Sequence, residues 1–415
     1  MVNSERKFFL LTAFMKLWKK ILLILFAIIV LAQIPFIYNR YKTGKLSAKI
    51  NELQANRTNL IDQNYNEYKG VIHVHTSLGE HSTGHFDELI KGADVNNLDF
   101  IVMTEHYSTL FDSSALTLNG FYGKTLFVGG NEIDTADADR FLMIAGSADA
   151  PKYASEKTND VLEKIHASDK IAFVTYPEKF KSWNSNFAGI EVFSLHTNAK
   201  RMNPVGFLFN ALWSFGAYPE LTTANYFIRP DETLRKYDEI AANRRVTLFA
   251  GSDAHSNLGF HLLGDDAGNK VINLKFDDYR GIFRLVRTHI LIEKSKPLTQ
   301  ENLINALKNG HAFVGFDVLS DTNGFSFAAE NGAERKIQGD EISLQNGVRL
   351  KVNAPQPARY VILRNGEKVY EVGEKTEIVY DAKEKGAYRA EVYLDALGSP
   401  FDVMPWIISN PSYVK

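Results

Sequence analysis

The chain has 415 residues, 45% of them hydrophobic and 23% charged, which is typical of a globular protein with two or three domains. It contains no Cys, which excludes disulfides, thiolate-bound metals and thiol nucleophiles, so any metal ligand must come from His, Asp, Glu, Tyr or water. Its formal net charge of -2 does not favour nucleic acid as a partner.

Residues 21–38 form an almost wholly apolar run, and a membrane-spanning helix needs about 17–25 such residues. The basic residues before this run place the start of the chain in the cytoplasm and the rest of it outside. A signal peptide cleaved near Val30-Leu31-Ala32 is the alternative, and it would give a secreted protein. Because apolar residues continue to Ile37, the sequence favours an uncleaved membrane anchor within residues 1–45, followed by a stalk or linker at residues 46–68.

From residue 69 to about residue 315, short apolar runs alternate with amphipathic stretches such as Phe86–Val95 and Asn159–His166. The runs are rich in Val, Ile and Phe, as buried parallel strands are. They are Val71–His75, Phe100–Thr104, Leu126–Gly129, Phe141–Ala145, Ile171–Thr175, Ile190–Ser194 and Val246–Ala250. This βαβα order predicts an α/β fold, and about seven units indicate a (β/α) barrel.

An insertion at residues 196–230 is rich in Phe, Tyr and Pro. Its aromatic residues suit a lid or a membrane-facing loop, whereas a locally packed loop is the simpler interpretation. The sequence alone leaves both open.

The pattern changes after a predicted helix at Thr299–Lys308, which has Thr299 as its N-cap and Gly310 just past its end. Short, often alternating runs follow, and Asn365-Gly366 between two of them is a hairpin signal. Residues 322–415 are therefore predicted to form a small β-sandwich.

Histidines and carboxylates follow the ends of several predicted strands. They are His73 and His75 after the first strand, Glu105 and His106 after the second, Glu132 after the third, His196 after the sixth, and Asp253 and His255 after the seventh. In a barrel these strand ends meet at one face. Imidazole and carboxylate together suit Zn, Mn or Fe, and two or three such divalent ions can activate a water and bind phosphoryl oxygens.

Further polar residues lie close to these ligands in the sequence. Glu80, His81 and His85 lie in the loop after the first strand, and His261 follows the last one. His85 and His261 are candidates for substrate contact. By contrast, His289, like His166 and His311, lies away from the strand ends and is interpreted as structural.

These motifs, in this order, resemble the polymerase and histidinol phosphatase (PHP) superfamily over residues 70 to about 315. The resemblance implies a distorted seven-stranded barrel that hydrolyses phosphate esters at two or three ions. It assigns one ion to His73, His75, Glu132 and Asp253, a second to Glu132 and His196, and a third to His81, His106 and His255. The C-terminal residues resemble the sandwich of a PHP subgroup with carbamate- and nucleotide-hydrolysing members.

The chain departs from the family at Tyr176, where relatives often have His before Pro. The Tyr176 phenol would either ligate the second ion or pack beside the site, in which case a water molecule would take the ligand position.

The expected function is a phosphoesterase acting on a small substrate through a metal-bound hydroxide, with Glu132, His106 and His255 as the catalytic residues. Two alternatives stay open. The same site could hydrolyse a carbamate or carboxyl ester, or the protein could be a non-catalytic binding module of the cell envelope.

Overall fold

The computed structural model describes residues 2–257, 259–264, 270–332, 334–345 and 347–415, with side chains described from residue 17 onward except at residues 258–274, 333 and 346. The helices are α1 (Val2–Ala32), α2 (Ile34–Ala55), α3 (Phe86–Val95), α4 (Ser113–Leu116), α5 (Ala150–Tyr153), α6 (Thr158–Ala167), α7 (Leu195–Lys200), α8 (Pro204–Ser214), α9 (Pro219–Ala224), α10 (Asp231–Ala241), α11 (Tyr279–Ile282) and α12 (Gln300–Lys308). Short 3-10 turns lie at Ser77–Gly79 and Asp395–Leu397.

The strands are β1 (Tyr65–Val74), β2 (Phe100–Met103), β3 (Glu105–His106), β4 (Gly120–Tyr122), β5 (Thr125–Val128), β6 (Gly130–Asp134), β7 (Arg140–Ile144), β8 (Ile171–Val174), β9 (Gly189–Ser194), β10 (Thr247–Ala254), β11 (Gly259–Gly264), β12 (Lys270–Lys275), β13 (Arg287–Glu293), β14 (Ala312–Gly315), β15 (Ser326–Glu330), β16 (Arg335–Ile337), β17 (Glu341–Ile342), β18 (Val348–Arg364), β19 (Glu367–Ala382), β20 (Gly386–Tyr393), β21 (Ile407–Ser409) and β22 (Ser412–Val414).

Most of these strands belong to one large mixed sheet. Strand β1 pairs in parallel with β2 and β10, and β9 pairs in parallel with β8 and β10. Strand β7 is antiparallel to both β6 and β8. The mixed α/β class predicted from the sequence is therefore confirmed. The predicted seven-stranded barrel is not confirmed, and it remains a prediction.

Strand β1 begins earlier than the sequence indicated. Its first part pairs antiparallel with β13, from Tyr65 opposite Glu293 to Gly70 opposite Thr288. The sequence analysis placed residues 65–68 in the stalk, because this part is half-buried and shows no apolar run. Residues 34–55, which span the end of the predicted anchor and the first part of the predicted helical stalk or linker, form helix α2.

The α-helices near the sheet follow the predicted pattern closely. Helix α3 has the predicted bounds, and α6 buries Val161, Leu162 and Ile165 along one face. Helix α12 begins after Thr299, whose side chain accepts a hydrogen bond from the Asn302 backbone N–H. These predictions are confirmed, because capping and amphipathic spacing are local properties.

The C-terminal strands are largely antiparallel and join the rest of the sheet where β14 pairs with β21. The predicted hairpin is present between β18 and β19, with positive φ of 51° at Asn365 and 88° at Gly366. The runs 348–352 and 360–363, predicted as two strands, form one irregular strand β18, and β19 likewise spans the runs 368–372 and 377–380.

The helical stretch Leu17–Ala55 near the N-terminus contains an apolar window with a mean hydropathy of 2.7, and none of that window is buried. It is long and apolar enough to cross a membrane, although a signal sequence meets the same criterion. The insertion at residues 196–230 is mainly helical, comprising α7, α8 and α9, and α8 packs against α2 through stacked rings of Phe36 and Phe209.

Candidate metal centre

The register of the sheet brings the predicted ligands to one end of the parallel strands. Val74 of β1 lies opposite Ala254 of β10, and His106 of β3 lies opposite Glu132 of β6. The residues that follow these positions, including His75, extend beyond the carboxyl ends of the strands. Ligand candidates separated by up to about 180 residues therefore become neighbours, as His73 and Asp253 show.

Alternation along a regular strand would put the side chains of His73 and His75 on one face of β1, but the backbone at this motif is irregular. The register of β1 shifts between Ile72 and Val74, and His73 has a positive φ of 69°. Asp253 also has a positive φ, of 48°. Such backbone is costly for residues other than Gly and is common at functional sites. Even so, the two imidazole rings lie only 5.1 Å apart.

The innermost group consists of His73, His75, Glu132 and Asp253, all of them buried. Asp253 Oδ1 lies 3.3 Å from His73 Nε2 and 3.4 Å from His75 Nε2, while Glu132 Oε2 lies 3.3 Å from His75 Nε2. Among the described residues, none of these four atoms has a hydrogen-bond partner. A buried polar atom without a partner costs about 1–3 kcal/mol, and these four atoms together form a donor set that suits a metal ion.

A second group of possible metal ligands shares His75 and adds His106 and His255. The ring of His75 stacks against both of the others, with its centroid 4.6 Å from that of His106 and 4.4 Å from that of His255. His255 Nδ1 lies 2.9 Å from the backbone oxygen of Asp253. Because a carbonyl oxygen only accepts, Nδ1 carries the proton and Nε2 is left free to bind a metal.

The candidate ligands of the metal-free centre differ in their protonation. Burial lowers the pKa of His75 to about 3, so its imidazole is neutral at pH 7 and ready to ligate. Burial raises the pKa of Glu132, but the nearby His73, whose Nε2 lies 3.6 Å from Glu132 Oε2, outweighs it and holds that pKa at about 2. Burial lowers the pKa of His73, but the charges of Asp253 and Glu191 outweigh burial and raise that pKa overall. The His73 imidazole must therefore lose a proton before its Nε2 can bind a metal.

Two buried carboxylates that the sequence analysis did not assign as ligands support the centre. Glu191 Oε1 lies 2.8 Å from His73 Nδ1, and the Thr175 hydroxyl donates to its other oxygen. Such carboxylate–histidine pairs orient the ligating nitrogen. Glu105 accepts hydrogen bonds from the backbone N–H and the hydroxyl of Thr76. The sequence carried one signal for Glu191, a charged residue inside the apolar strand β9.

Tyr176 lies beside the centre but does not occupy a ligand position among the described atoms. Its hydroxyl donates a hydrogen bond of 2.6 Å to Asp253 Oδ2. Arg140 stands over its ring and contacts Glu132 Oε1 at 3.3 Å. Tyr176 and Arg140 therefore hold Oδ2 of Asp253 and Oε1 of Glu132. These are the outer oxygens of the two carboxylates, as distinct from Oδ1 and Oε2, which face the histidines.

The remaining predicted site residues lie at the rim. His196 is partly buried, with its ring 6.1 Å from that of His255, and burial lowers its pKa. His81 is exposed, with its ring 5.1 Å from that of His106. Glu80 and His85 are exposed as well, and His85 Nδ1 lies 3.5 Å from the Ser77 hydroxyl. The side chain of His261 lies outside the described residues.

Comparison with known proteins identifies no family. No family model matches the chain, and no curated protein matches it. Among solved structures, PsfC from Pseudomonas syringae PB-5123 is similar with 17% sequence identity and a TM-score of 0.36, covering 61% of this chain and 94% of its own. A likeness this weak says nothing about activity and is no evidence for the PHP resemblance.

Proposed function

We propose that this protein is a metal-dependent phosphoesterase related to the PHP superfamily. The observation that carries the proposal is the set of four unpartnered, buried ligand atoms of His73, His75, Glu132 and Asp253. Mixed imidazole and carboxylate donors of this kind suit Zn, Mn or Fe.

The proposal includes the distorted barrel of that family. Strand pairings run without interruption from β6 through β7, β8, β9 and β10 to β1 and β2, which supports it. The antiparallel β7 would be the distortion. The catalytic face would then be the end of the strands where the His and Asp residues gather.

Two or three bound divalent ions would supply an activated water and neutralise phosphoryl charge. His73, His75, Glu132 and Asp253 would hold the inner ion, and His106 and His255, with the neighbouring His81, would hold another. His196 would complete a further site with Glu132, as the resemblance implies. Glu191 keeps the ring of His73 aimed at the inner ion, and Arg140 keeps Oε2 of Glu132 turned toward it.

Hydrolysis adds water across a P–O ester bond. The water oxygen bonds to phosphorus, and the bond to the leaving oxygen breaks. That oxygen then needs a proton, which His106 or His255 would donate, whichever is not saturated as a ligand. Glu132 lies between both groups and would help to hold the ions that make the water acidic, so the proton that the water loses would pass to solvent.

The apolar segment Leu17–Ala55 would anchor the protein, with the catalytic part outside the cytoplasm. A signal peptide that releases the protein is the alternative. Alkaline carbonate extraction of membranes separates the two, because only an anchored chain stays in the pellet.

Metal analysis of the full-length protein, followed by a substrate panel, tests the proposed activity. The panel contains phosphate monoesters, phosphate diesters, carbamates and carboxyl esters. We expect metal-dependent turnover of phosphate esters, and loss of metal and turnover in His75→Asn. His311→Asn is the matched control, since His311 pairs with Asp340 away from the centre. Turnover of only carbamates or carboxyl esters would show that the protein is a carbamate or carboxyl ester hydrolase and not a phosphoesterase. Metal binding without turnover of any substrate would favour a non-catalytic binding module.

A further inference from the structure

A cavity of about 500 Å³ opens directly beside the candidate metal centre. Its wall includes His196, Asp253 and His255 of the candidate centre. Most of the remaining wall is apolar and includes Met202, Phe207, Leu208, Phe227, Ile282 and Leu285. This volume lies in the range of small-ligand sites, which is about 300–1,000 Å³.

The polar side chains in the cavity wall are already engaged by the protein. Asn198 bonds to the backbone of Tyr226 and Ile228, and the Ser252 hydroxyl donates to the backbone oxygen of His73. The polar groups that remain available to a ligand are therefore those of the candidate centre, His196, Asp253 and His255. A ligand that fills the remaining space must be largely apolar.

Helix α8, which forms part of the apolar wall, is attached to the candidate membrane segment. The Trp213 indole N–H donates to Gln33 Oε1 over 3.1 Å, and Phe209 stacks on Phe36. On its outer side α8 exposes Val205 at 62% and Leu212 at 70%. Exposed apolar side chains next to a membrane helix fit contact with lipid, so the cavity lies close to the bilayer surface.

We propose that the substrate is a membrane-derived amphiphile, with its phosphoester group at His255 and Asp253 and its hydrocarbon chain in the cavity beneath α8. This inference rests on the proposed phosphoesterase function and specifies its substrate class. The reaction remains the addition of water across a P–O ester bond, which releases an alcohol and the phosphorylated remainder.

The test uses the full chain, metal-loaded, in lipid nanodiscs. The substrates are 4-nitrophenyl alkyl phosphodiesters with methyl, butyl, octyl and dodecyl chains. Each methylene buried in the cavity should raise kcat/KM up to about fourfold, which corresponds to about 0.8 kcal/mol. Leu208→Trp fills the cavity and should sharply reduce the preference for dodecyl over methyl. Met202→Trp, in the segment before α8, should act in the same way if the first variant does not fold.

Leu212→Trp is the matched control, because Leu212 lies one helical turn from Leu208 and is not part of the cavity wall. Partition of long chains into the nanodisc affects all variants equally, so only the difference between the Leu208 and Leu212 variants reports on the cavity. Retention of the same chain-length preference by all three Trp variants would overturn the inference and leave the phosphoesterase intact.

A second readout does not depend on turnover. A dodecyl phosphonate with a terminal diazirine should label the peptide that contains residues 202–208 on irradiation, and Leu208→Trp should block this labelling while Leu212→Trp does not. If the protein hydrolyses no phosphate ester, the proposed function fails and the labelling alone decides the cavity's role. Absence of labelling in the wild-type protein would overturn the inference.

Discussion

Tyr176 donates a hydrogen bond of 2.6 Å to the outer carboxylate oxygen of Asp253, while Oδ1 of Asp253 faces the histidines. Burial and the charges of Asp253 and Glu132 raise the pKa of the phenol well above its usual range, so it keeps its proton. In this arrangement Tyr176 positions the Asp253 carboxylate of the candidate metal centre.

Tyr176→Phe should weaken metal binding by roughly tenfold, because the outer oxygen of Asp253 loses its donor and the carboxylate is free to turn. Isothermal titration of the metal-free protein with Zn²⁺ or Mn²⁺ measures this. The control is Tyr360→Phe, which also removes a phenol hydrogen bond, to the backbone oxygen of Thr376 in the C-terminal sheet. Equal metal affinity in the two variants would contradict the positioning role.

Glu191→Gln should lower metal affinity by about 10–100-fold, because a neutral amide orients and polarises the His73 ring less than a carboxylate does. Glu67→Gln is a closely matched control. Glu67 contacts His289 Nδ1 at 2.7 Å, much as Glu191 contacts His73 Nδ1 at 2.8 Å, but this pair lies outside the metal centre. Metal affinity should be unchanged in the Glu67 variant, and a similar loss in both would point to general destabilisation.

Gly251→Ala should disturb the centre although Gly251 is not itself a candidate ligand, because an added Cβ would crowd both Glu191 and, at 3.1 Å, the Cβ of His73. A Cβ at this position would lie 1.6 Å from Glu191 Oε1, which is far inside van der Waals contact, so Glu191 must move away from His73. We expect reduced metal content and a loss of stability of about 1–3 kcal/mol. Gly373→Ala serves as the comparison, since an added Cβ there meets no atom within 4 Å. Normal metal content in Gly251→Ala would show that the contact with Glu191 is dispensable.

His289 should make the stability of the metal-free protein depend on pH. Burial lowers its pKa, but the charges of Asp317 and Glu67 outweigh this and raise it to about 9. Since the folded pKa lies above the usual 6.5, the stabilisation is fully present below about pH 6.5 and is lost as the pH rises through about 9. The change corresponds to roughly 3 kcal/mol.

Urea unfolding of wild type and His289→Gln between about pH 6 and about pH 10 measures that effect. The difference in unfolding free energy should be largest at the acid end and should shrink toward the alkaline end. A difference that stays constant over this range would mean that His289 is neutral in the folded protein.

Local features of the chain were predictable because they depend on neighbouring residues. The N-cap at Thr299, the hairpin at Asn365-Gly366 and the bounds of α3 all follow from capping, turn and amphipathic patterns. The early start of β1 was not predictable. Residues 65–70 are strand only because β13, more than 200 residues later, pairs with them.

The sequence by itself determined which residue types line the candidate centre, since the absence of Cys and the placement of His73, Glu132 and Asp253 after apolar runs left few other ligands. Only the tertiary structure decided the geometry. The bulge at His73, the support from Glu191 and the hydrogen bond from Tyr176 depend on contacts between strands far apart in sequence, which local preferences do not specify. The apolar cavity under α8 likewise exists only where the inserted helices pack beside the strand ends.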